Sequence, residues 1–197
     1  TTTNRRYSVV YNFGDLTINK ANAYVIIDSG QASTYGSTPT LNYSFYSNAA
    51  GTGGSAITAA TTGSAVITNA PSASSDAATY SLKYASGLSS TNYAFNPATS
   101  NVDYVVNPAT LVVTGANNIT TYSGSPQTNS GAIATVNGSA VTITGNSIAT
   151  GIGGQSFTLS GYGSGTDASA TAYADNLAVT AAVGTTAGNY NISYNHG

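Results

Sequence analysis

The sequence predicts an all-β chain, and three observations carry that prediction. Apolar residues recur with period two almost everywhere, strong helix formers are scarce, and short clusters of Gly, Asn, Ser and Pro separate the alternating runs. Alternation sends every second side chain to one face of a sheet, whereas a helix needs spacings of three and four. The 197 residues include no Glu and no Met, two Lys, two Arg and seven Leu. Ala is plentiful, but it stands among Thr, Ser, Asn and Gly, which favour caps and turns over helix interiors.

The predicted strands follow in chain order. Tyr7, Val9, Tyr11 and Phe13 share one face of the first, and Leu16-Thr17-Ile18 follows. Leu41, Tyr43 and Phe45 form the next face, then Tyr80, Leu82 and Tyr84, then Val102, Tyr104 and Val106, then Leu111-Val112-Val113. Val141 with Ile143, Phe157 with Leu159, Leu177 with Val179, and Tyr190, Ile192 and Tyr194 complete the series. Asn137-Gly138 tolerates positive φ at both central positions of a type I′ turn. It is expected to join a strand near Ile133–Val136 to one near Ser139–Thr144. Asp167–Asn176, weakly helical through its Ala content, is the one stretch where a helical turn competes with this pattern.

Composition excludes several kinds of function. Thr, Ser, Gly and Asn fill 98 positions, while only 5% of residues are charged against about 25% in ordinary soluble domains. Four cations cannot form the basic footprint that nucleic-acid phosphates require. Without Cys there is no thiol chemistry, disulfide or thiolate metal site. The single His is penultimate, read as a solvated residue, which leaves no Ser-His-Asp triad within the body of the chain. No apolar run approaches the roughly 20 residues of a membrane-spanning helix. The hydrophobic fraction of 41% sets the chain apart from disordered sequences. So little charge beside so much hydroxyl and amide suits an extracellular setting. With no Met, the chain is expected to be a processed product or an excised fragment.

Internal repetition organises the chain. Arg6-Tyr7-Ser8-Val9-Val10-Tyr11-Asn12-Phe13-Gly14 matches Asn189-Tyr190-Asn191-Ile192-Ser193-Tyr194-Asn195-His196-Gly197 almost position for position, and Asn92-Tyr93-Ala94-Phe95 is a shorter relative. Leu16-Thr17-Ile18 pairs with Leu111-Val112-Val113, and the turn Thr34-Tyr35-Gly36 pairs with Thr121-Tyr122-Ser123. Two domain-sized repeats, 16–110 and 111–197, follow, each read as an elongated Ig-like β-sandwich. Residues 1–15 then read as the terminal strand of a preceding repeat.

At these motifs the chain resembles the MBG and YDG-type tandem repeats of large Gram-negative surface adhesins, the filamentous-haemagglutinin-like proteins of two-partner secretion. The resemblance rests on Leu16–Ala21, Thr34-Tyr35-Gly36, Asn92-Tyr93, Gly161-Tyr162, Tyr173-Ala174-Asp175 and Asn189-Tyr190. It implies a secreted, non-catalytic cell-surface module for adhesion and biofilm, acting as stalk or fibre. The long Ala/Ser/Thr/Gly stretch Ala49–Ala78 departs from the family pattern.

Candidate sites are few. Asp15, Asp28, Asp76, Asp103, Asp167 and Asp175 are the only acids, most in turn contexts where the side chain caps backbone N–H groups. No catalytic residue, cofactor or metal ligand is assigned, because no base, orienting partner and charge stabiliser accompany any of them. Calcium prefers clustered carboxylates, and no Asp-x-Asp run exists. Most tyrosines fall in step with Val, Leu, Ile and Phe and are read as core; Tyr35 and Tyr122 are read as equivalent corners. Tyr24, Tyr46, Tyr162 and Tyr173 remain to face outward, where Tyr rings suit stacking on sugars, so a surface polysaccharide is the alternative partner. The first strand (Tyr7, Val9, Tyr11, Phe13) has two readings: it docks on another copy or neighbouring repeat, head to tail, by strand addition, or it folds back on its own first repeat. Sequons at Asn42, Asn118, Asn137 and Asn191 are expected by chance in so Asn- and Ser-rich a chain.

Overall fold

The computed structural model describes residues 6–52 and 57–195. Among these residues seventeen strands run in the order β1 (Ala21–Ile27), β2 (Ala32–Thr34), β3 (Tyr43–Tyr46), β4 (Thr62–Thr68), β5 (Thr79–Ser89), β6 (Tyr93–Pro97), β7 (Val102–Asn107) and β8 (Ala109–Thr114), then β9 (Gln127–Thr128), β10 (Ile133–Val136), β11 (Ser139–Val141), β12 (Ile143–Thr144), β13 (Ser147–Ala149), β14 (Ser156–Ser160), β15 (Ser164–Gly165), β16 (Ala178–Ala181) and β17 (Tyr190–Asn195). Among the described residues the only helical element is the 3-10 turn Ala187–Asn189. The chain is all-β, and Asp167–Asn176 forms bends and irregular backbone rather than helix.

The two halves repeat one strand arrangement. In the first, β1 lies between β3, antiparallel to it, and β6, parallel to it. In the second, β8 lies between β10 and β17 in the same senses. Ala21 stands opposite Tyr93 as Ala109 stands opposite Tyr190. A second sheet accompanies each: β2-β7-β5-β4 in the first half and β12-β13-β14-β16 in the second, with a small β15-β9 pair beside it. Alternation does the sorting. Ala23, Val25 and Ile27 of β1 are buried while Asn22, Tyr24 and Ile26 turn away, and Phe157 and Leu159 of β14 are buried while Thr158 is exposed. The predicted hairpin forms as expected: Val136 pairs with Ser139 across Asn137 (φ 50) and Gly138 (φ 79).

One buried core runs through both halves. It joins Ile27, Tyr35, Leu82, Tyr104 and Val106 to Leu111, Val113, Val136, Ile148, Phe157, Leu159 and Tyr190. At roughly 1.5–3 kcal/mol per buried large apolar side chain, this stretch is the main favourable contribution to the fold.

Two expectations are corrected. Among the described residues the first strand is β1, starting at Ala21, and not a strand at Leu16-Thr17-Ile18. Register therefore makes Ala21 the counterpart of Ala109, each opposite a tyrosine (Tyr93 and Tyr190), and Leu16-Thr17-Ile18 matches Leu111-Val112-Val113 in composition only. Of residues 1–15, the described part, 6–15, forms no strand within the isolated chain, and Tyr7, Val9, Tyr11 and Phe13 are all exposed. Four apolar groups on one face do not offset the ordering entropy of ten residues unless a sheet edge also supplies ladder bonds.

Candidate functional site

The densest constellation of side chains lies where the halves meet. The turn after β2 places Tyr35 against β17: its N–H donates to the Asn107 carbonyl (2.8 Å) and its ring meets Tyr190 edge-on at 5.6 Å. Tyr190 in turn meets Phe157 edge-on at 5.1 Å. Its hydroxyl lies 3.0 Å from Thr150 Oγ1 and 2.9 Å from Gln155 Oε1, so its one proton goes to the Gln155 oxygen while it accepts from Thr150, which anchors the 150–155 loop. Burial pushes the Tyr190 hydroxyl above the ordinary tyrosine value, a shift partly opposed by the Thr150 hydrogen bond. At Gly36 (φ 86) a Cβ would stand 2.5 Å from Ile152 Cδ1, so only a bare backbone lets the turn approach the second half this closely.

Asn189 makes the polar half of the same junction. Fully buried, it donates through Nδ2 to Asp76 Oδ1 (2.7 Å) and accepts from the Ala77 N–H (2.8 Å). The 3-10 turn before β17 holds it in place, its own N–H donating to the Thr186 carbonyl. Asp76 thus works across the junction, and not only as a turn residue.

Tyr122, the sequence counterpart of Tyr35, does not repeat this environment. Tyr35 is 3% exposed and Tyr122 62%. The corner is the same motif; what covers Tyr35 is the other half of the chain. Asn92-Tyr93 likewise opens β6 as Asn189-Tyr190 opens β17, with Tyr93 half-buried.

The tyrosines expected to face outward divide. Tyr24 and Tyr46 stand directly opposite one another across β1 and β3, on the face away from Val25, and each is half-buried by its neighbours. Tyr162 is half-buried and packs against the core. Tyr173 is exposed, and its hydroxyl donates to the Asp167 carbonyl (3.1 Å). Tyr173 and Tyr122 edge an open cleft of about 480 Å³ whose walls are residues 116–120, 127–129 and 163–173.

Asp175 stands beside this cleft and ties its walls together. Both its oxygens accept from Asn129 Nδ2 (3.0 Å each), and Oδ1 also accepts from the Gly163 N–H (2.6 Å). Burial first, and the Asp175 charge second, hold the Tyr162 hydroxyl above its ordinary value. The carboxylate is thereby committed to holding two loops rather than open to a ligand. Among the described residues no three His, Cys, Asp or Glu side chains gather, and His196 lies outside the described residues. No helix among them is long and apolar enough to cross a membrane.

Sequence reasoning flagged Asn189, Tyr190 and Tyr35 as repeat motifs but missed Asp76, Ile152, Thr150 and the Asn129–Asp175 tie. The only sequence signal for these was that Asp76 and Asp175 are two of six acids in a nearly uncharged chain. No family model, curated protein or solved structure matches the chain.

Proposed function

We propose that the chain is a non-catalytic structural and adhesive module of a secreted bacterial surface adhesin or extracellular fibre, two repeats in tandem serving as stalk or filament building block. The observation that carries this reading is the junction. A cluster of polar and aromatic groups (Tyr35, Asn189, Tyr190, Asp76) joins one half to the other instead of lining a cleft. Side chains arranged in that way serve length and stiffness. The resemblance of the repeat motifs to MBG and YDG-type adhesin repeats supports the same reading, as does the near absence of charge.

The alternative is a carbohydrate-binding module for a surface polysaccharide. It draws on Tyr24 opposite Tyr46 and on exposed Tyr173 at the cleft, since an amphipathic ring offers both a stacking face and a hydroxyl. A glycan array probed with the folded protein separates the two. A spacer gives no signal above background; saturable binding to one sugar class, lost in Tyr173→Ala or Tyr24→Ala, would replace it with the lectin-like reading.

A further inference from the structure

The two halves differ in one respect that the shared arrangement makes plain. In the first half, β7 completes the second sheet: it pairs antiparallel with β5 and parallel with β2. The counterpart of the β4–β5 hairpin is β14–β16, and one constant offset carries both Gly87 onto Gly184 and Tyr93 onto Tyr190. Yet β16 is the outermost strand of its sheet, with no counterpart of β7 beside it among the described residues. Its Val179 N–H is met instead by the Tyr194 hydroxyl (3.0 Å). The segment 119–122, counterpart of β2 and the Tyr35 corner, joins no sheet, with Ile119 and Tyr122 exposed and only the Thr121 carbonyl held, by the Gln127 amide (2.8 Å).

The same chain carries a strand of matching pattern. Registering Ala21 on Ala109 puts Asn19-Lys20-Ala21 on Asn107-Pro108-Ala109, and puts Leu16, Thr17 and Ile18 on Tyr104, Val105 and Val106. Tyr104 and Val106 are 1% and 3% exposed, whereas Leu16 and Ile18 are 87% and 86% exposed. Alternation agrees, since Leu16 and Ile18 fall on buried Tyr104 and Val106 while Thr17 falls on exposed Val105.

We propose that residues 14–19 of a second copy of this chain add to the open edge of β16, as β7 adds to β5, giving a head-to-tail assembly. The proposal rests on the fibre-module reading and names its partner. The β5–β7 register carries over directly. Leu16 of the second copy lies opposite Leu177, Asp15 opposite Ala178 and Gly14 opposite Val179, displacing the Tyr194 hydroxyl from the edge. Its Asn19 carbonyl takes the N–H of Tyr122, as Asn107 takes that of Tyr35. Donor and acceptor surfaces lie on different parts of one chain, so each added copy presents a fresh edge and the contact does not close on itself.

Cysteine trapping tests this in a chain with no Cys of its own. Antiparallel neighbours such as Ser81 and Asp103 stand about 4.5–5.5 Å apart, within disulfide reach. Asp15→Cys and Ala178→Cys, made in separate chains of different mass and mixed under mild oxidation, are expected to give the mixed disulfide at least tenfold over Asp15→Cys mixed with Ser139→Cys. No excess over that control overturns the proposal. So does a doubly substituted chain that closes on itself as a monomer, since the strand then folds back in cis. Sedimentation velocity supplies the second readout: Leu16→Asp with Ile18→Asp is expected to raise the concentration needed for assembly at least tenfold with an unchanged far-UV CD spectrum. A native chain that stays monomeric at every concentration also overturns it. Either failure leaves the spacer reading standing, because that reading is decided on the glycan array.

Discussion

Tyr104 and Tyr190 lie at similar depth in one core but use their hydroxyls differently. The Tyr104 hydroxyl is buried with no hydrogen-bond partner, while that of Tyr190 has two. A buried unpaired polar group costs about 1–3 kcal/mol. Tyr104→Phe is therefore expected to leave stability unchanged or raise it by about 1 kcal/mol, and Tyr190→Phe to lower it by about 1–2 kcal/mol. Thermal melts distinguish them, at about 2–4 °C per kcal/mol for a chain of this size. The raised Tyr190 pKa adds a pH signature. Above pH 10 an unfolded tyrosine loses its proton while folded Tyr190 keeps it, so the folded state binds more protons and stability falls as pH rises. This contribution is fully present below pH 10 and is lost as pH climbs through the folded value. Tyr190→Phe is expected to flatten that alkaline loss; an unchanged slope from pH 9 to 11 would assign the loss to other tyrosines.

Turns and edges decide what the strands become. The β10–β11 hairpin was legible because Asn137-Gly138 states its turn chemistry locally, and Gly138 has open space around its missing Cβ. Gly138→Ala is thus expected to cost only the positive-φ penalty, about 1 kcal/mol. Gly36→Ala meets the same penalty and the Ile152 side chain as well, and should cost about 2 kcal/mol or more in a urea titration. Equal losses at the two sites would mean that Ile152 yields freely. Alternation also identified the buried faces of β7 and β14, where Tyr104, Val106, Phe157 and Leu159 lie in the core. It could not say which alternating segments find a partner. Residues 7–13 alternate as cleanly as β17, yet β17 has β8 to pair with. Nor could short motifs fix the repeat boundary, since Leu16-Thr17-Ile18 resembles β8 in composition but matches β7 in register. The Asn129–Asp175 tie spans 46 residues and leaves no local trace in sequence.

Across the whole molecule, the far-UV CD spectrum is expected to be dominated by strand with helix below about 10%, against about a third in ordinary globular proteins. A chelator should leave the melting temperature unmoved, because no three acids gather among the described residues and Asp28, Asp76 and Asp175 already accept from Ser44, Asn189 and Asn129. A drop of more than about 10 °C, several kcal/mol here, would reveal a bound cation. Asn189→Ala removes the buried amide and leaves the half-buried Ala77 N–H without its acceptor, while exposed Asp76 turns to water, an expected loss of about 1–2 kcal/mol. Coupling to Asp76→Ala in a double-mutant cycle should exceed 0.5 kcal/mol, the usual limit of additivity.

Stiffness between the halves is the central claim, since a stalk that bends at its middle transmits neither length nor direction. Residual dipolar couplings measured on the intact chain in a weakly aligning medium report it directly. Tyr35 seated on Tyr190 and Asn189 bound to the 76–77 backbone and side chain predict that one alignment tensor fits the amides of both halves. Two tensors of different magnitude and orientation would show halves that reorient independently, and would contradict a rigid module.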